Sequence, residues 1–500
     1  MTDDATQPFT GARDYPRVHG VGELLQVRVR QDPDRVALHS VDGESWTWSQ
    51  LAAQVGAVQA ALGDHGLARG DHVALFCDNS LRMAAALVAI AAAGLVAVPL
   101  NTALVGPGLA AVLAHCDAKL LLADPAGLER CRGVGVIQPC VALDEMFGAK
   151  GNLEIAGGGA DTALIIYTSG TTGDAKGVVI SHAAILNGAF QAAAVMLEAT
   201  PDTVIHTCLP LFHCAAQQLG LWPALLSGAR LVLSPRFSAG SFWDELQACG
   251  ATAFHFVGPM TSILWKAEPS PNDARQPPRI ALGGGPRIAW REFEERFNVR
   301  FVECYGMTET FGGCVSHRPG RGRPGTVGKA LDSVQVAVDD GQIVVRPRRD
   351  HVLFSGYYKR ADLTQAAFRD GWYRTGDLGS LDADGFLSYR SRARDIIRRR
   401  GENVSALAVE EAAAGCPGIA ECGVVGVPSE LGEEDILAVF VADGEPPQWE
   451  VVLAHLRERL PTFAVPRYLA FAPELPKTVT GRLQRHLLRE LLRDAFDRSP

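Results

Sequence analysis

The sequence lacks the features of exported, disulfide-bonded and zinc-binding proteins. Its 11 cysteines are scattered and include no C-x-x-C pair, which is typical neither of a disulfide framework nor of a zinc cage. The first 19 residues are polar and contain no apolar core, so they do not resemble a signal peptide. We therefore expect a protein of the reducing cytoplasm.

The sequence also has little that would suggest a membrane span or a nucleic-acid partner. The longest apolar run, Met83 to Leu100, is rich in alanine and is interrupted by Gly94 and Pro99. It predicts a buried helix followed by a short strand, Leu95 to Val98, rather than a membrane span. A net charge of −9 gives no support for general nucleic-acid binding.

Several catalytic signatures are missing. H-E-x-x-H and G-x-S-x-G do not occur, which argues against zinc-protease and serine-hydrolase chemistry. No Walker A loop is present either, because Ala175 stands before the lysine of the only comparable loop and a strand rather than a helix is predicted after it.

What is present is the pattern of a soluble enzyme with more than one domain. A chain of 500 residues is too long for one ordinary core. Apolar β-rich runs alternate with helical runs over residues 1–390, which predicts layered α/β sheets that are largely parallel. The predicted strands include Val73–Phe76, Lys119–Leu122, Leu164–Tyr167, Val178–Ile180, Leu231–Leu233, Ala253–Val257 and Arg300–Val302, and the predicted helices include Leu81–Ala93 and Phe242–Ala248.

The pattern changes in the last third of the chain. From about residue 330 it predicts a β-rich subdomain of short strands, with a hairpin turn at Asp384-Gly385. Residues 391–500 have β and α segments of their own and predict a small, mobile α+β C-terminal domain.

One loop carries the strongest chemical signal. Residues 167–177 read Y-T-S-G-T-T-G-D-A-K-G, in which an apolar strand leads into small and hydroxylated residues with a single lysine, Lys176. Small residues allow backbone N–H groups to close around phosphate oxygens, hydroxyls add donors, and lysine adds a positive charge. Composition alone predicts a phosphate-binding loop and a flexible surface loop about equally well.

This loop and six further motifs, in order along nearly the whole chain, resemble the adenylate-forming superfamily of acyl-CoA synthetases, peptide-synthetase adenylation domains and luciferases. The further motifs are Pro210–His213, Gly283–Pro286, Tyr305–Glu309, Tyr373–Gly379, Ser391–Asp395 and Gly401–Val404.

The resemblance implies an active site that binds ATP or acyl-AMP, Mg²⁺ and coenzyme A. In it, Tyr305 would stack on adenine, Glu309 would bind Mg²⁺ and act in catalysis, and Asp377 would accept both ribose hydroxyls. The implied nucleotide-binding residues are Thr168, Ser169, Gly170, Thr171, Thr172, Gly173, Gly283, Gly284, Gly285, Tyr305, Gly306, Thr308, Asp377 and Arg392; the catalytic set is His213, Glu309, Lys176 and Arg482.

The resemblance also implies an acyl pocket and an acceptor side. His213 would gate the pocket near the entering thiol. The implied pocket residues are Phe212, Trp222, Val257, Met260 and Phe311; they are apolar and indicate an aliphatic, aromatic or polycyclic acid. The implied coenzyme A residues are Arg398, Gly401, Glu402 and Asn403, and the hinge spans 392–395 with Arg394 at its centre. We expect Arg399 and Arg400 to be surface charges.

The main departure from the superfamily pattern lies in the last motif, Leu475 to Arg485. Arg482 occupies the place of a lysine that, in relatives, bridges the attacking carboxylate and the α-phosphate during adenylation. Arginine keeps the charge but spreads it over a wider plane, so the two are not interchangeable in such a position. The altered residue belongs to the first half-reaction, whereas the acceptor motif at Gly401–Val404 follows the superfamily pattern.

The sequence therefore leaves four hypotheses about function. The first is an acyl-CoA ligase that converts an acid, through acyl-AMP, to its coenzyme A thioester. The second is a non-adenylating ligase that receives acyl-AMP from a partner enzyme. The others are a carrier-protein-loading or amide-forming adenylation enzyme, and a catalytically inactive binding protein. The expected partners are a small carboxylic acid and coenzyme A.

Overall fold

The structure is a computed structural model that describes residues 15–135, 138–148, 150–168, 176–270, 273, 277, 279–285, 288, 290–392, 395–399, 402–429, 434–478 and 483–498, with the backbone alone at 402 and 403. The chain divides into two compact units. The first comprises Met1–Val336 and Val345–Trp372, and the second comprises Ala337–Val344 and Tyr373–Pro500.

The first unit contains a seven-stranded sheet with a mainly parallel centre. Its predicted strands are confirmed, each slightly longer than its apolar core. The strands in spatial order are Gly356–Tyr357, Lys176–Ser181, Thr162–Thr168, Val96–Pro99, His72–Phe76, Ala118–Ala123 and Cys140–Ala142. Thr162–Thr168 and Lys176–Ser181 form an antiparallel hairpin, so the predicted phosphate loop connects two adjacent strands.

The same unit contains a nine-stranded sheet. In spatial order its strands are Lys329–Ala330, Gly312–Ser316, Val299–Met307, Arg279–Gly284, Ala253–Val257, Val204–Thr207, Arg230–Leu233, Val36–Ser40 and Ser45–Thr47. The five strands from Val299–Met307 to Arg230–Leu233 are parallel to one another. Parallel strands end at one edge, so the Gly283–Gly285 turn and the Tyr305 motif lie at the same edge of this sheet.

Helices connect and cover these strands, as the alternating pattern predicts. Leu81–Ala92 is the most deeply buried, and the strand Val96–Pro99 follows it, which confirms the interpretation of the long apolar run. The helices of the first unit are Val21–Gln31, Trp48–Asp64, Leu81–Ala92, Gly106–His115, Pro125–Gly133, His182–Gln191, Cys214–Ala216, Trp222–Ser227, Phe242–Ala248, Gly258–Lys266, Trp290–Phe297 and Ala361–Ala367. Within the described part of the chain, no helix combines the length and the apolar character that crossing a bilayer requires.

Two π-helical turns interrupt this helical layer, at Ala192–Met196 and Gln217–Leu221. Turns of this kind are rare and occur frequently at functional sites.

The β-rich stretch after residue 330 is confirmed. Its strands include Val334–Asp339, Gln342–Pro347, Trp372–Leu381 and Leu387–Arg392. The last two pair in antiparallel fashion, and Gly385 takes the left-handed conformation (φ +81°) in the turn between them.

The second unit has a hydrophobic core of its own, around Phe440, Val452 and Leu469. A four-stranded sheet carries it, with Ile419–Pro428, Glu434–Ala442, Tyr468–Phe471 and Phe496–Asp497 in order. The helices Ala406–Ala413, Trp449–Arg459 and Arg485–Leu488 and the two-stranded ribbon Ile396–Arg399 with Glu402–Ser405 complete it. The predicted small α+β region is therefore confirmed.

Candidate active site

The base of the predicted phosphate loop is held by direct strand pairing. Thr168 and Lys176 lie opposite each other in the hairpin, so both ends of the loop leave the sheet at one point. The loop residues Ser169, Gly170, Thr171, Thr172 and Gly173 lie outside the described residues.

Tyr357 links Lys176 to Glu309. The Lys176 Nζ lies 5.5 Å from the centre of the Tyr357 ring, a cation–π distance. The Tyr357 hydroxyl donates a hydrogen bond of 2.8 Å to Glu309 Oε1. The predicted lysine and the predicted magnesium ligand thus lie on either side of one aromatic residue. Sequence reasoning missed Tyr357, because it lies 48 residues beyond Glu309 and no motif includes it.

Glu309 is buried in a short 3₁₀ turn, Thr308–Thr310, that follows the strand Val299–Met307. The turn is tight, since Thr310 Oγ1 accepts from the Met307 N–H and donates to the Gly312 carbonyl. Gly306 is required there, because a Cβ on it would lie 1.9 Å from the Gly312 oxygen.

The donor set around Glu309 fits Mg²⁺. No group of three or more His, Cys, Asp or Glu side chains suited to a metal ion occurs among the described residues. Mg²⁺ typically binds one or two carboxylates together with substrate phosphates and water. A single buried carboxylate near a phosphate loop therefore suits this ion better than it suits zinc.

The Gly283–Gly285 turn lies beside Tyr305 and a buried carboxyl group, Glu303. The Gly285 N–H donates to Glu303 Oε1 at 3.0 Å, and burial raises the pKa of this carboxyl to about 7. Gly283 has to be glycine, because a Cβ would lie 2.0 Å from the Phe256 oxygen. Sequence reasoning missed Glu303, although it stands only two residues before Tyr305.

His213 caps the short helix Cys214–Ala216. Its Nδ1 accepts a hydrogen bond of 3.2 Å from the Ala215 N–H, so the neutral ring carries its proton on Nε2. Cys214 Sγ lies 3.8 Å from this Nδ1 and 3.5 Å from Thr308 Oγ1. Burial alone would raise the pKa of the Cys214 thiol, but its interactions with the neighbouring His213 and Thr308 side chains outweigh burial and lower it. The predicted gate therefore contacts the predicted nucleotide motif through Cys214.

The predicted pocket residues are mostly buried. Phe212, Trp222, Met260 and Phe311 are each less than 9% exposed. Val257 lies opposite Gly284 in the parallel pairing of their strands. Phe311 has a left-handed backbone (φ +32°), which is strained for a bulky residue.

In the second unit, the hairpin places Asp377 directly opposite Arg392. Asp377 is 3% exposed, and the Arg392 Nε lies 3.2 Å from its Oδ1. The Thr375 hydroxyl accepts from the Asp377 N–H at 3.0 Å and donates to the Ile343 carbonyl. The two residues predicted to bind ribose are therefore neighbours that form an ion pair.

Three residues predicted to bind coenzyme A, Arg398, Glu402 and Asn403, lie on the ribbon of the second unit. Arg398 is exposed and pairs in register with Asn403, while Arg399 pairs with Glu402. Gly401 and the hinge residue Arg394 lie outside the described residues.

The prediction that Arg399 is a surface charge is wrong. It is 4% exposed, its Nε lies 2.9 Å from Asp435 Oδ1, and it donates to the carbonyls of Phe463 and Val465. Strand alternation explains the difference, because consecutive ribbon residues point to opposite faces.

Arg482 lies outside the described residues, but the chain on either side of it is fixed. Lys477 and Leu483 form an isolated antiparallel bridge, and Lys477 also forms an ion pair with Glu421. Arg485 forms ion pairs with Glu410 and, at 3.6 Å, with Asp395 of the predicted hinge.

Comparison with known proteins matches most of the chain. The family described as "AMP-binding enzyme" matches residues 25–357, and the "AMP-binding enzyme C-terminal domain" matches residues 408–482. The sulfoacetate–CoA ligase of Cupriavidus necator is 31% identical over 95% of this chain and 98% of its own length.

Solved structures with ligands match as well. ATP-bound MatB from Rhodopseudomonas palustris is 28% identical with a TM-score of 0.85, covering 95% of this chain and 99% of its own. The o-succinylbenzoate CoA synthetase of Bacillus subtilis, in complex with its acyl-adenylate intermediate, is 28% identical with a TM-score of 0.83, covering 93% and 97%.

Proposed function

We propose that this chain, which belongs to the family of AMP-binding enzymes and is an acid–thiol ligase, converts a carboxylic acid through its acyl-AMP to the coenzyme A thioester, with release of AMP. It uses ATP, Mg²⁺ and coenzyme A. The observation that supports the proposal is the Lys176–Tyr357–Glu309 arrangement at the base of the predicted phosphate loop, in which a cation and a carboxylate both contact one tyrosine.

In the first step, the carboxylate oxygen of the acid attacks the α-phosphorus of ATP, and pyrophosphate leaves. Lys176 would hold the β- and γ-phosphates together with the loop residues 168–173. Glu309, oriented by Tyr357, would hold Mg²⁺, which supplies charge neutralisation on the phosphates when it is bound. Tyr305 would stack on adenine beside the glycine turn, and Asp377 and Arg392 would bind the ribose.

In the second step, the thiol sulfur of coenzyme A attacks the acyl carbon, the acyl–phosphate bond breaks, and the thiol proton is lost as AMP leaves. His213 would position the entering thiol at the mouth of the acyl pocket. The C-terminal domain, which we place at 391–500, would turn about residues 392–395 between the steps, so that Arg398 and Gly401–Asn403 face the pantetheine.

The identity of Arg482 favours a second candidate, a ligase that does not adenylate and takes acyl-AMP from a partner enzyme. The adenylation transition state gathers negative charge on the acid and the α-phosphate, and a misplaced cation stabilises it less. Thiol attack on acyl-AMP requires no such bridge. Loading of a carrier protein or of an amine is a third candidate, which differs only in the acceptor.

Two assays on one preparation separate these candidates. Acid-dependent exchange of labelled pyrophosphate into ATP measures adenylation, and thioester formation from supplied acyl-AMP and coenzyme A measures the second step. The complete ligase shows both activities, the non-adenylating ligase shows only the second, and a carrier- or amine-loading enzyme shows only exchange. Absence of both activities across a panel of acids would overturn the proposal.

A further inference from the structure

Polar side chains are buried in the segment that follows His213, although the residues predicted to line the acyl pocket are apolar. Gln217, Gln218 and Trp222 are at most 1% exposed. Each has one buried polar atom without a hydrogen-bond partner among the described residues: Oε1 of Gln217, Nε2 of Gln218 and Nε1 of Trp222. Burying an amide donor without an acceptor is unfavourable, so each such group requires an explanation, and a bound molecule that supplies the acceptor is one.

Gln218 lies against the turn that follows Glu309. Gly312 has a left-handed backbone (φ +116°), and a Cβ on it would lie 2.1 Å from Gln218 Cδ and 2.3 Å from Nε2. On the other side, Gly188 of the helix His182–Gln191 faces Gln218 Cγ. The two glycines leave room for the amide, and the strained Phe311 bends the chain around it.

The π-helical turn Gln217–Leu221 fixes the direction of this side chain. A π turn contains an extra residue, which shifts the side chains after it around the helix axis. The His255 Nε2 lies 3.1 Å from the Leu219 carbonyl that this turn presents, and Gly220 allows the ring to approach. These backbone contacts fix the position of Gln218, and among the described residues they include no hydrogen-bond acceptor for its amide nitrogen.

Two contacts between the same pair of segments locate Gln218 relative to the Thr308–Glu309 turn. Cys214, beside His213, contacts Thr308, and Gln218, four residues later, contacts Gly312, four residues after Thr308. Four helical residues advance by about one turn, or ~5–6 Å. The Gln218 amide therefore lies about one turn beyond the Cys214–Thr308 contact, which adjoins the predicted gate residue His213.

We propose that Gln218 selects acids that carry a neutral hydrogen-bond acceptor, such as a ketone or amide oxygen, on the carbon about four bonds beyond the reacting carboxyl carbon, a span close to the ~5–6 Å of one helical turn. The proposal rests on the proposed function, because it requires an acyl group in this pocket. The amide Nε2 donates to the acceptor. An uncharged amide favours a neutral oxygen, since an anion at this depth requires a cation to offset the loss of water.

The test uses supplied acyl-AMPs, so that it does not depend on adenylation. 5-Oxohexanoyl-AMP and 5-methylhexanoyl-AMP have nearly the same shape and differ in the acceptor. With coenzyme A, we expect the wild type to prefer the ketone by roughly 10- to 100-fold in kcat/KM, the factor that an unpaired buried donor typically costs. In Gln218→Leu, which keeps the bulk of the side chain, the preference falls to near one or reverses.

The matched control is Gln59→Leu. Gln59 is a buried glutamine of the same unit whose amide is fully engaged with the backbone at Ala89 and Glu154. This variant is expected to lose stability and to keep the ketone preference. A purely packing role for Gln218 predicts that its variant loses rate equally on both substrates.

Each outcome bears on one hypothesis. Equal wild-type rates on the two acyl-AMPs would overturn the inference and leave the ligase function intact. Preference for the glutaryl analogue, which carries a carboxylate at C5, over the ketone would overturn the neutral-acceptor assignment. No thioester from any acyl-AMP would instead overturn the proposed function. If Gln218→Leu does not fold, the wild-type preference decides the question alone.

Discussion

Replacing Tyr357 with phenylalanine removes one hydroxyl group and leaves the aromatic ring beside Lys176 in place. The lost hydrogen bond joins the hydroxyl to Glu309 Oε1 at 2.8 Å. Hydrogen bonds to charged groups contribute about 1.5–3 kcal/mol, and Glu309 is only 7% exposed, so water cannot easily replace the hydroxyl. We expect the affinity for Mg²⁺·ATP, and any adenylation that depends on it, to fall about 10- to 100-fold.

Calorimetric titration with Mg²⁺·ATP measures the binding, and pyrophosphate exchange at several Mg²⁺ concentrations measures the coupled reaction. Tyr358→Phe is the matched control. Tyr358 stands next in the chain, and its hydroxyl donates to Asp117 at 2.7 Å instead of to the candidate metal ligand. A second variant, Tyr357→Leu, also removes the ring from Lys176 and is expected to bind ATP more weakly than Tyr357→Phe.

The reasoning is refuted if Tyr357→Phe binds Mg²⁺·ATP as tightly as Tyr358→Phe. That result would mean that Tyr357 only packs beside Glu309 and that the carboxylate needs no orientation. A loss that appears equally without Mg²⁺ would also count against the assignment, because Glu309 would then act on the nucleotide without the ion.

Three further predictions concern other parts of the molecule. The pKa of Glu303 is raised to about 7, so the folded state binds this proton more tightly than the unfolded state, and the protein becomes less stable as pH rises from about 4.5 to 7. Glu303→Gln should therefore have the same Tm as the wild type near pH 5 and a higher Tm at pH 8. A difference in Tm that stays constant across pH would contradict this. Arg399→Met should destabilise the second unit by roughly 3 kcal/mol, since it leaves a buried carboxylate with one partner fewer, whereas the exposed neighbour Arg398→Met should leave denaturant unfolding unchanged. Arg482→Lys should raise pyrophosphate exchange without raising thioester formation from supplied acyl-AMP, and equal wild-type rates in the two assays would show that arginine replaces the lysine fully.

The fold was predictable where local pattern and tertiary structure agree. The strand Val73–Phe76 and the helix Leu81–Ala93 were placed to within a residue, because apolar runs of these lengths have one way to be buried. The π turn at Gln217–Leu221 was not predicted, since it depends on the contact of His255 with a backbone carbonyl and leaves no periodic signal.

The candidate site was predictable only where a motif carries it. The resemblance indicates Lys176 and Glu309, and the structure brings the first to the ring of Tyr357 and the second to its hydroxyl. Tyr357, Glu303 and Gln218 contact segments that are distant in the chain, so no local pattern in the sequence indicates them. The one available signal is a polar residue at a buried position. For Gln218 this signal requires the structure, because the sequence does not show that the residue is buried.

The alternation of arginines along the ribbon Ile396–Arg399 also bears on how this region can change. Arg399 anchors the ribbon to the body of its unit, while Arg398, one residue earlier, is exposed on the outer face. Substitutions of Arg398 can therefore change what this exposed face binds, with little loss of stability. Deletion of a single residue within this strand would exchange its two faces. Arg399 would then point to solvent, and Arg398 would be buried. Deletion of two residues would keep the faces as they are, which makes chain length here a stricter constraint than residue identity.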